Sequence, residues 1–243
     1  MKRTRRFLTA ILSLMLVFQI FPVVALAYSN ETEMESSVWN MEDLGLTLEV
    51  EYSMKGDTII ERSTLHDDVD VFWTLRKEIS PDGIVQVFED EVLVNTFTGN
   101  YSVFLNAAYG DTNYEAVTEI VPSSDVYFPC GFNVYHQYNG NFEETIDVSV
   151  SNSAKQLTAF IAKKMASAFG TGAEKLTAIA SQIAIAIGDP NCDYIDMSGT
   201  EYFITDNSGQ NLNCIHMYLV FYDMVGGKKQ ITKTQWKFYQ ATI

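Results

Sequence analysis

Residues 151–190 read SNSAKQLTAFIAKKMASAFGTGAEKLTAIASQIAIAIGDP. Leu157, Phe160, Ile161, Met165 and Phe169 recur at three- and four-residue spacing, which predicts one apolar stripe on a helix. Asn152 and Ser153 precede it as cap candidates, and Gly170-Thr171-Gly172 breaks it. A second helix is expected from Ala173 to Ile187, with Leu176, Ile179, Ala180, Ile183 and Ile187 on its stripe. Gly188-Asp189-Pro190 stops that helix. Ala162, Ala166, Ala168, Ala178, Ala184 and Ala186 are small enough to let the two helices pack closely.

On both sides of this pair the apolar period drops to two. Leu44, Leu46, Leu48, Val50 and Tyr52 alternate with Gly45, Thr47, Glu49 and Glu51, and Val69, Val71, Trp73 and Leu75 repeat the pattern. Ser80-Pro81-Asp82-Gly83 has the chemistry of a tight turn. Strands are expected at 84–88 and 92–97, then at 101–105 after a Gly99-Asn100 turn. Further strands are expected at 115–121, 132–138 and 145–150. After the helices, segments 202–205, 214–225 and 231–240 read as a three-stranded meander, with Gly226-Gly227 as its second turn. Its middle strand is apolar on both faces and so calls for two covers, one of them the helical pair. The expected class is α+β, mostly antiparallel β. A β-sandwich-like N-terminal region precedes an amphipathic two-helix hairpin and a C-terminal three-stranded β-meander.

The N-terminus carries its own signature. Lys2, Arg3, Arg5 and Arg6 precede an apolar run from Phe7 to Val24, and Ala25-Leu26-Ala27 supplies a small-x-small cleavage pattern. Residues 1–27 are therefore expected to be a signal peptide, and the protein to be secreted and extracellular. Removal of that segment leaves 12 basic and 31 acidic side chains, a net charge of -19. Residues 28–42 read as a flexible acidic lead-in, 43–150 as an acidic sandwich-like domain and 151–243 as the hairpin with its meander. The charge is uneven: residues 28–150 hold 24 acids against Lys55, Arg62, Arg76 and Lys77, whereas residues 151–243 hold 7 acids and 8 lysines. Such acidity disfavours nucleic acid, because phosphate binding needs clustered cations. The cysteines are Cys130, Cys192 and Cys214, so at most one internal bridge forms; Cys192–Cys214 is the favoured pair and Cys130 pairings stay open.

Signatures of enzymes are missing. The chain has no G-x-S-x-G, H-E-x-x-H, C-x-x-C, P-loop or G-x-G-x-x-G motif. His66 beside Asp67, Asp68 and Asp70 reads as a solvated acidic turn before a strand, with a hard cation such as calcium as the competing reading. Residues 206–211 resemble half an EF-hand loop, but Ile215 stands where its closing acid belongs. Cys214 and His216 share a strand face, yet single Cys and His residues more often pack than react. No catalytic residue, metal or cofactor is assigned.

Trp236, Phe238 and Tyr239 interleave with Lys233 and Lys237 on the last strand. The layout of residues 151–243 is loosely similar to that of secreted Gram-positive proteins with small-residue helices and a tyrosine-rich hairpin, some of them antibacterial. The functional expectation is thus a bacterial, exported, non-enzymatic protein that binds a cell envelope, a membrane surface or another protein. Residues 151–243 would make the contact, with Lys163, Lys164, Lys233, Trp236, Lys237 and Phe238 as candidate interaction residues. The competing expectation is a secreted β-sandwich hydrolase with a carboxylate pair, which needs no local motif.

Overall fold

Alternation places Leu46, Leu48, Val50 and Tyr52 on one strand face, and all four are buried. The computed structural model describes residues 31–109, 116–121, 132–149, 153–188, 190–206 and 211–241; for 116–121, 132–139, 203–206, 211–214 and 235–241 it describes the backbone alone. The expected signal peptide and Cys130 lie outside the described residues. Six strands form one antiparallel meander in chain order: β1 (Glu31–Met41), β2 (Leu46–Lys55), β3 (Thr58–His66), β4 (Val71–Ile79), β5 (Ile84–Glu89) and β6 (Val92–Thr98). Helix α1 (Tyr101–Ala108) follows. The second sheet is antiparallel too. It contains β7 (Ala116–Val121), β8 (Phe132–Asp147), β9 (Tyr194–Asp206), β10 (Asn211–Val225) and β11 (Lys228–Ala241), in the order β7-β11-β10-β9-β8. Helices α2 (Ala154–Ala168) and α3 (Ala173–Ile187) leave the sheet after β8 and return the chain to β9.

The two helices form a layer between the two sheets. On the side of the first sheet α2 meets β4 and β6, and on the other side it meets β8; α3 lies between β2 and the β7–β11 edge of the second sheet. A six-stranded meander has one apolar face and cannot cover it alone. Residues 43–150 accordingly make no sandwich of their own: their apolar face closes on α2 and α3, and β7 and β8 join the second sheet. One hydrophobic cluster runs from Met41 through the helices to Phe221. The helices bury more than one stripe, although Gln182, Ile185 and Ala186 of α3 stay exposed. Ala159, Ala162, Ala166, Thr158 and Thr177 are as enclosed as Leu157 and Ile183. The three-stranded meander is present as β9-β10-β11 but is the inner part of five strands, with β10 at the centre. Ile215, Met217, Leu219 and Phe221 of β10 are buried in the shared core.

Local chemistry explains two departures from the sequence expectation. Asn100 Oδ1 accepts the Ser102 backbone N–H at 3.1 Å, so the segment expected as a strand at 101–105 starts a capped helix. Val103, Phe104, Ala107 and Ala108 bury one face of that helix. Within the acidic segment 28–42 expected to be a flexible lead-in, Glu31–Met41 is edge strand β1, paired with β2 from Glu31↔Lys55 to Met41↔Leu46. Glu31, Glu33 and Glu35 charge that exposed edge, which discourages pairing with other chains. Arg62 anchors its start by an ion pair with Glu31 at 2.9 Å.

Side chains from both sheets tie down the helical layer. Ser153 Oγ caps α2 by accepting from the Gln156 N–H at 3.2 Å. Trp73 Nε1 donates to the Ala159 carbonyl at 3.0 Å, and Asn95 Nδ2 donates to the Ser167 carbonyl at 2.8 Å. Gly140 makes the close approach of β8 to α2 possible: a Cβ there would stand 2.1 Å from the Ala168 carbonyl oxygen.

Candidate functional site

Two polar sites stand out, one closed and one open. The closed one surrounds the turn Phe169–Gly172 between α2 and α3. A buried turn leaves carbonyls and N–H groups without helical partners, and here the two sheets supply them. From β4, Lys77 Nζ donates to the Thr171 carbonyl at 3.0 Å and the Phe169 carbonyl at 3.5 Å. It also pairs with Glu61 of β3 at 3.3 Å, both side chains being 0% exposed. From β9, buried Glu201 accepts from the Gly170 N–H and the Thr171 hydroxyl. The cation thus serves the carbonyls and the anion serves the donors.

A short relay extends from this pair toward β1. Tyr52 Oη lies 3.0 Å from Glu61 Oε2 and 3.3 Å from Glu174 Oε2, and Ser37 Oγ donates to Glu174 Oε1 at 3.0 Å. Burial, then the charge of Glu61, pushes the Glu174 carboxyl above its ordinary value. The single phenol proton faces both carboxyl groups, and the shorter contact is to Glu61. Glu61 has no exposed surface, so the pair is closed to solvent on that side.

Lys175 follows Glu174 and is buried beside it. Burial drives its ammonium from the ordinary 10.5 down to about 8, against the opposing pull of Glu174 and Glu201. The folded chain then holds this proton less tightly than the unfolded chain does. Between about pH 8 and 10.5 the unfolded state binds more protons, so stability contributed by this group rises with pH across that window. Lys175→Met is expected to abolish the rise and to gain stability at pH 7, as read from urea midpoints at pH 7, 8 and 10. A variant with the parent's full alkaline rise would show that Lys175 does not carry it.

The open site is a groove of about 590 Å³ on the face of the second sheet turned away from the helices. Its lining includes Glu143, Thr145, Asp196, Ser198, Tyr218 and Lys229. Cross-strand register builds it in rows. Glu143 of β8 stands opposite Ser198 of β9, which stands opposite Tyr218 of β10; Thr145 stands opposite Asp196, which stands opposite Val220. Burial alone would raise the Asp196 carboxyl, but hydrogen bonds from Lys229, Thr145 and Tyr222 hold it below the ordinary value. The Thr145 hydroxyl donates to Asp196 Oδ1 at 2.9 Å, and Lys229 forms an ion pair with Oδ2. The Tyr194 and Tyr222 rings stack beside this pair with centroids 5.4 Å apart.

The residues singled out from sequence fall into three groups. Lys163 and Lys164 bind the chain itself: Lys163 pairs with Glu89 of the first sheet and Lys164 with Glu144 of the second. Trp236 takes the register position opposite Tyr218, Phe238 the one opposite His216 and Lys237 the one opposite Met217, while exposed Lys233 extends over the Phe221 ring at 5.3 Å. The expected Cys192–Cys214 pair is not brought together. Cys192 is a free, half-buried thiol just before β9, whereas Cys214 stands opposite Tyr202, eight residues along β9 from Tyr194. At roughly 3.3 Å per residue, that places the two cysteines about 30 Å apart, beyond the roughly 7 Å between Cα atoms that a disulfide spans.

The acidic turn after β3 is self-satisfied. Asp67 Oδ1 accepts the Val69 and Asp70 N–H groups, each at 2.7 Å, and Asp67 pairs with Lys155. The Lys155 hydrogen bond and these backbone donors hold its carboxyl at about 2. Among the described residues no cluster of three or more His, Cys, Asp and Glu side chains is arranged to hold a metal ion, and no helix is long and apolar enough to cross a membrane. Loop 206–211 is described only at its two ends.

Sequence reading missed Tyr52, Glu61, Lys77, Glu174, Lys175 and Glu201. A signal existed for three of them. Lys77 falls in phase with Trp73, Leu75 and Ile79, Glu61 with Ile59 and Leu65, and Glu201 with Ile195 and Met197. A charge in register with an apolar row points into the core and requires a partner there.

Comparison with known protein families, curated proteins and solved structures finds no match to this chain.

Proposed function

We propose that this is an exported, non-enzymatic binding protein that associates with the cell envelope through the groove of the second sheet. One observation carries the reading: the groove is open, polar and built from fixed side chains, while the paired buried carboxylates are enclosed. Open concave sites with a few oriented polar groups are the default places for ligands. The helical pair is a poor contact surface, because both sheets cover it and its adjacent lysines are held by Glu89 and Glu144. The basic, apolar and small-residue run of residues 1–27 supports export.

The test is co-sedimentation of the purified protein with cell-wall and membrane fractions of a Gram-positive bacterium. Ser198 lies at the middle of the Glu143–Ser198–Tyr218 row, so Ser198→Trp fills the groove from its floor. The parent protein is expected to sediment with one fraction, and Ser198→Trp is expected to lose at least nine-tenths of that binding with an unchanged circular dichroism spectrum. Sedimentation with neither fraction, or equal sedimentation of both proteins, overturns the proposal.

A further inference from the structure

We infer that the ligand of the groove is a neutral oligosaccharide. The inference rests on the groove being the recognition surface and adds the chemistry of what it holds.

The lining cation of the groove is already matched within the protein: Lys229 is paired with Asp196. Glu143 adds a second carboxylate to the same face. A polyanion would meet Glu143 and Asp196 inside a chain whose acids far outnumber its bases, and like charges repel it. A polycation would meet Lys229 and would have to displace it from an ion pair that is already made, at a desolvation cost. A hydroxyl-rich neutral ligand avoids both problems. Its hydroxyls donate to the remaining lone pairs of Asp196 and Glu143, and accept from Ser198 and Lys229, without breaking an internal pair.

The apolar half of the site fits the same ligand. Half-buried Tyr218 offers a ring next to the hydrogen-bonding groups, with buried Val220 beside it in the neighbouring row. Sugar rings present C–H faces bordered by hydroxyls, so one ligand uses both halves. The hydrogen bonds from Thr145, Tyr222 and Lys229 fix the Asp196 carboxylate before a ligand arrives, which lowers the ordering cost of binding. A volume of about 590 Å³ lies in the range of small-ligand sites.

Calorimetric titration of the purified protein with chitin, cellulose and maltose oligosaccharides, and with a sulfated counterpart of each, tests this. Binding of at least one neutral series is expected, with its sulfated counterpart ten-fold or more weaker. Tyr218→Ala and Asp196→Asn should each weaken that binding by ten-fold or more, and Tyr218→Phe should restore most of the loss because it keeps the ring. Melting curves verify that each variant is folded. Binding of none of the neutral series, preference for a sulfated series, or binding unaffected by Ser198→Trp overturns the inference. Sedimentation with the envelope that depends on Ser198, combined with no oligosaccharide binding, overturns the sugar chemistry and leaves the groove as the contact surface.

Discussion

Replacing Lys77 with Met is expected to lower the unfolding free energy by about 3–5 kcal/mol, the usual cost of breaking a buried ion pair from one side. The side chain is fully enclosed and meets three acceptors: Glu61 at 3.3 Å and the Thr171 and Phe169 carbonyls. Methionine is unbranched, one heavy atom shorter and close in volume, so the loss reports mainly electrostatics rather than a cavity. Glu61 would be left as an uncompensated carboxylate between two sheets, and the turn carbonyls would lose their donor. The double variant Glu61→Gln with Lys77→Met is expected to recover a large part of the loss, because the stranded charge is gone. Guanidinium unfolding curves of the single and double variants measure both effects. A single variant within about 1 kcal/mol of the parent would mean that water reaches Glu61 and that the turn is not held as described.

Phe169→Ala is expected to cost a similar amount, about 3–5 kcal/mol, through a different term. Phe169 ends α2 with extended backbone (φ -112°, ψ 148°) and is completely buried. Its ring lies 5.5 Å from that of Phe142 on β8, and it fills the space that Gly140 leaves open. Truncation removes a large apolar surface and leaves a hole at the junction of helix and second sheet. The surroundings are poorly able to collapse into it, because Gly140 already touches the end of the helix. Phe169→Leu keeps most of the volume and is expected to lose less than about 1.5 kcal/mol. Urea midpoints at constant slope separate the two; equal losses for Ala and Leu would show that ring contact with Phe142, not filled volume, is what matters.

These two residues mark the limit of what the linear sequence disclosed about the candidate sites. Phe169 was legible, since it completes the apolar stripe begun at Leu157. Lys77 was not read as buried, although it stands in phase with Trp73 and Leu75, because its partners come from β3 and from the interhelical turn, far away in sequence. The groove was less legible still. Glu143, Asp196, Ser198 and Tyr218 come from three strands whose neighbours are set by sheet order, and nothing in their spacing announces a shared surface. The cysteines show the converse: closeness in sequence suggested that Cys192 and Cys214 were paired, and the lengths of β9 and β10 separate them.

Periodicity by itself determined most kinds of element, the helices at 154–168 and 173–187 and a series of antiparallel strands but not the helix at 101–108, because a side chain's direction repeats every 3.6 or every two residues whatever it packs on. It left open which layer covers which, and here tertiary structure decided. The helices carry small residues on the faces that would otherwise be wet, so both sheets close on them, and the region before Ser151 gains its core from the region after it. Burial at that depth is what turns Lys77, Glu61 and Glu201 from surface charges into the clamp on the turn, while the groove lies on the other face of the second sheet.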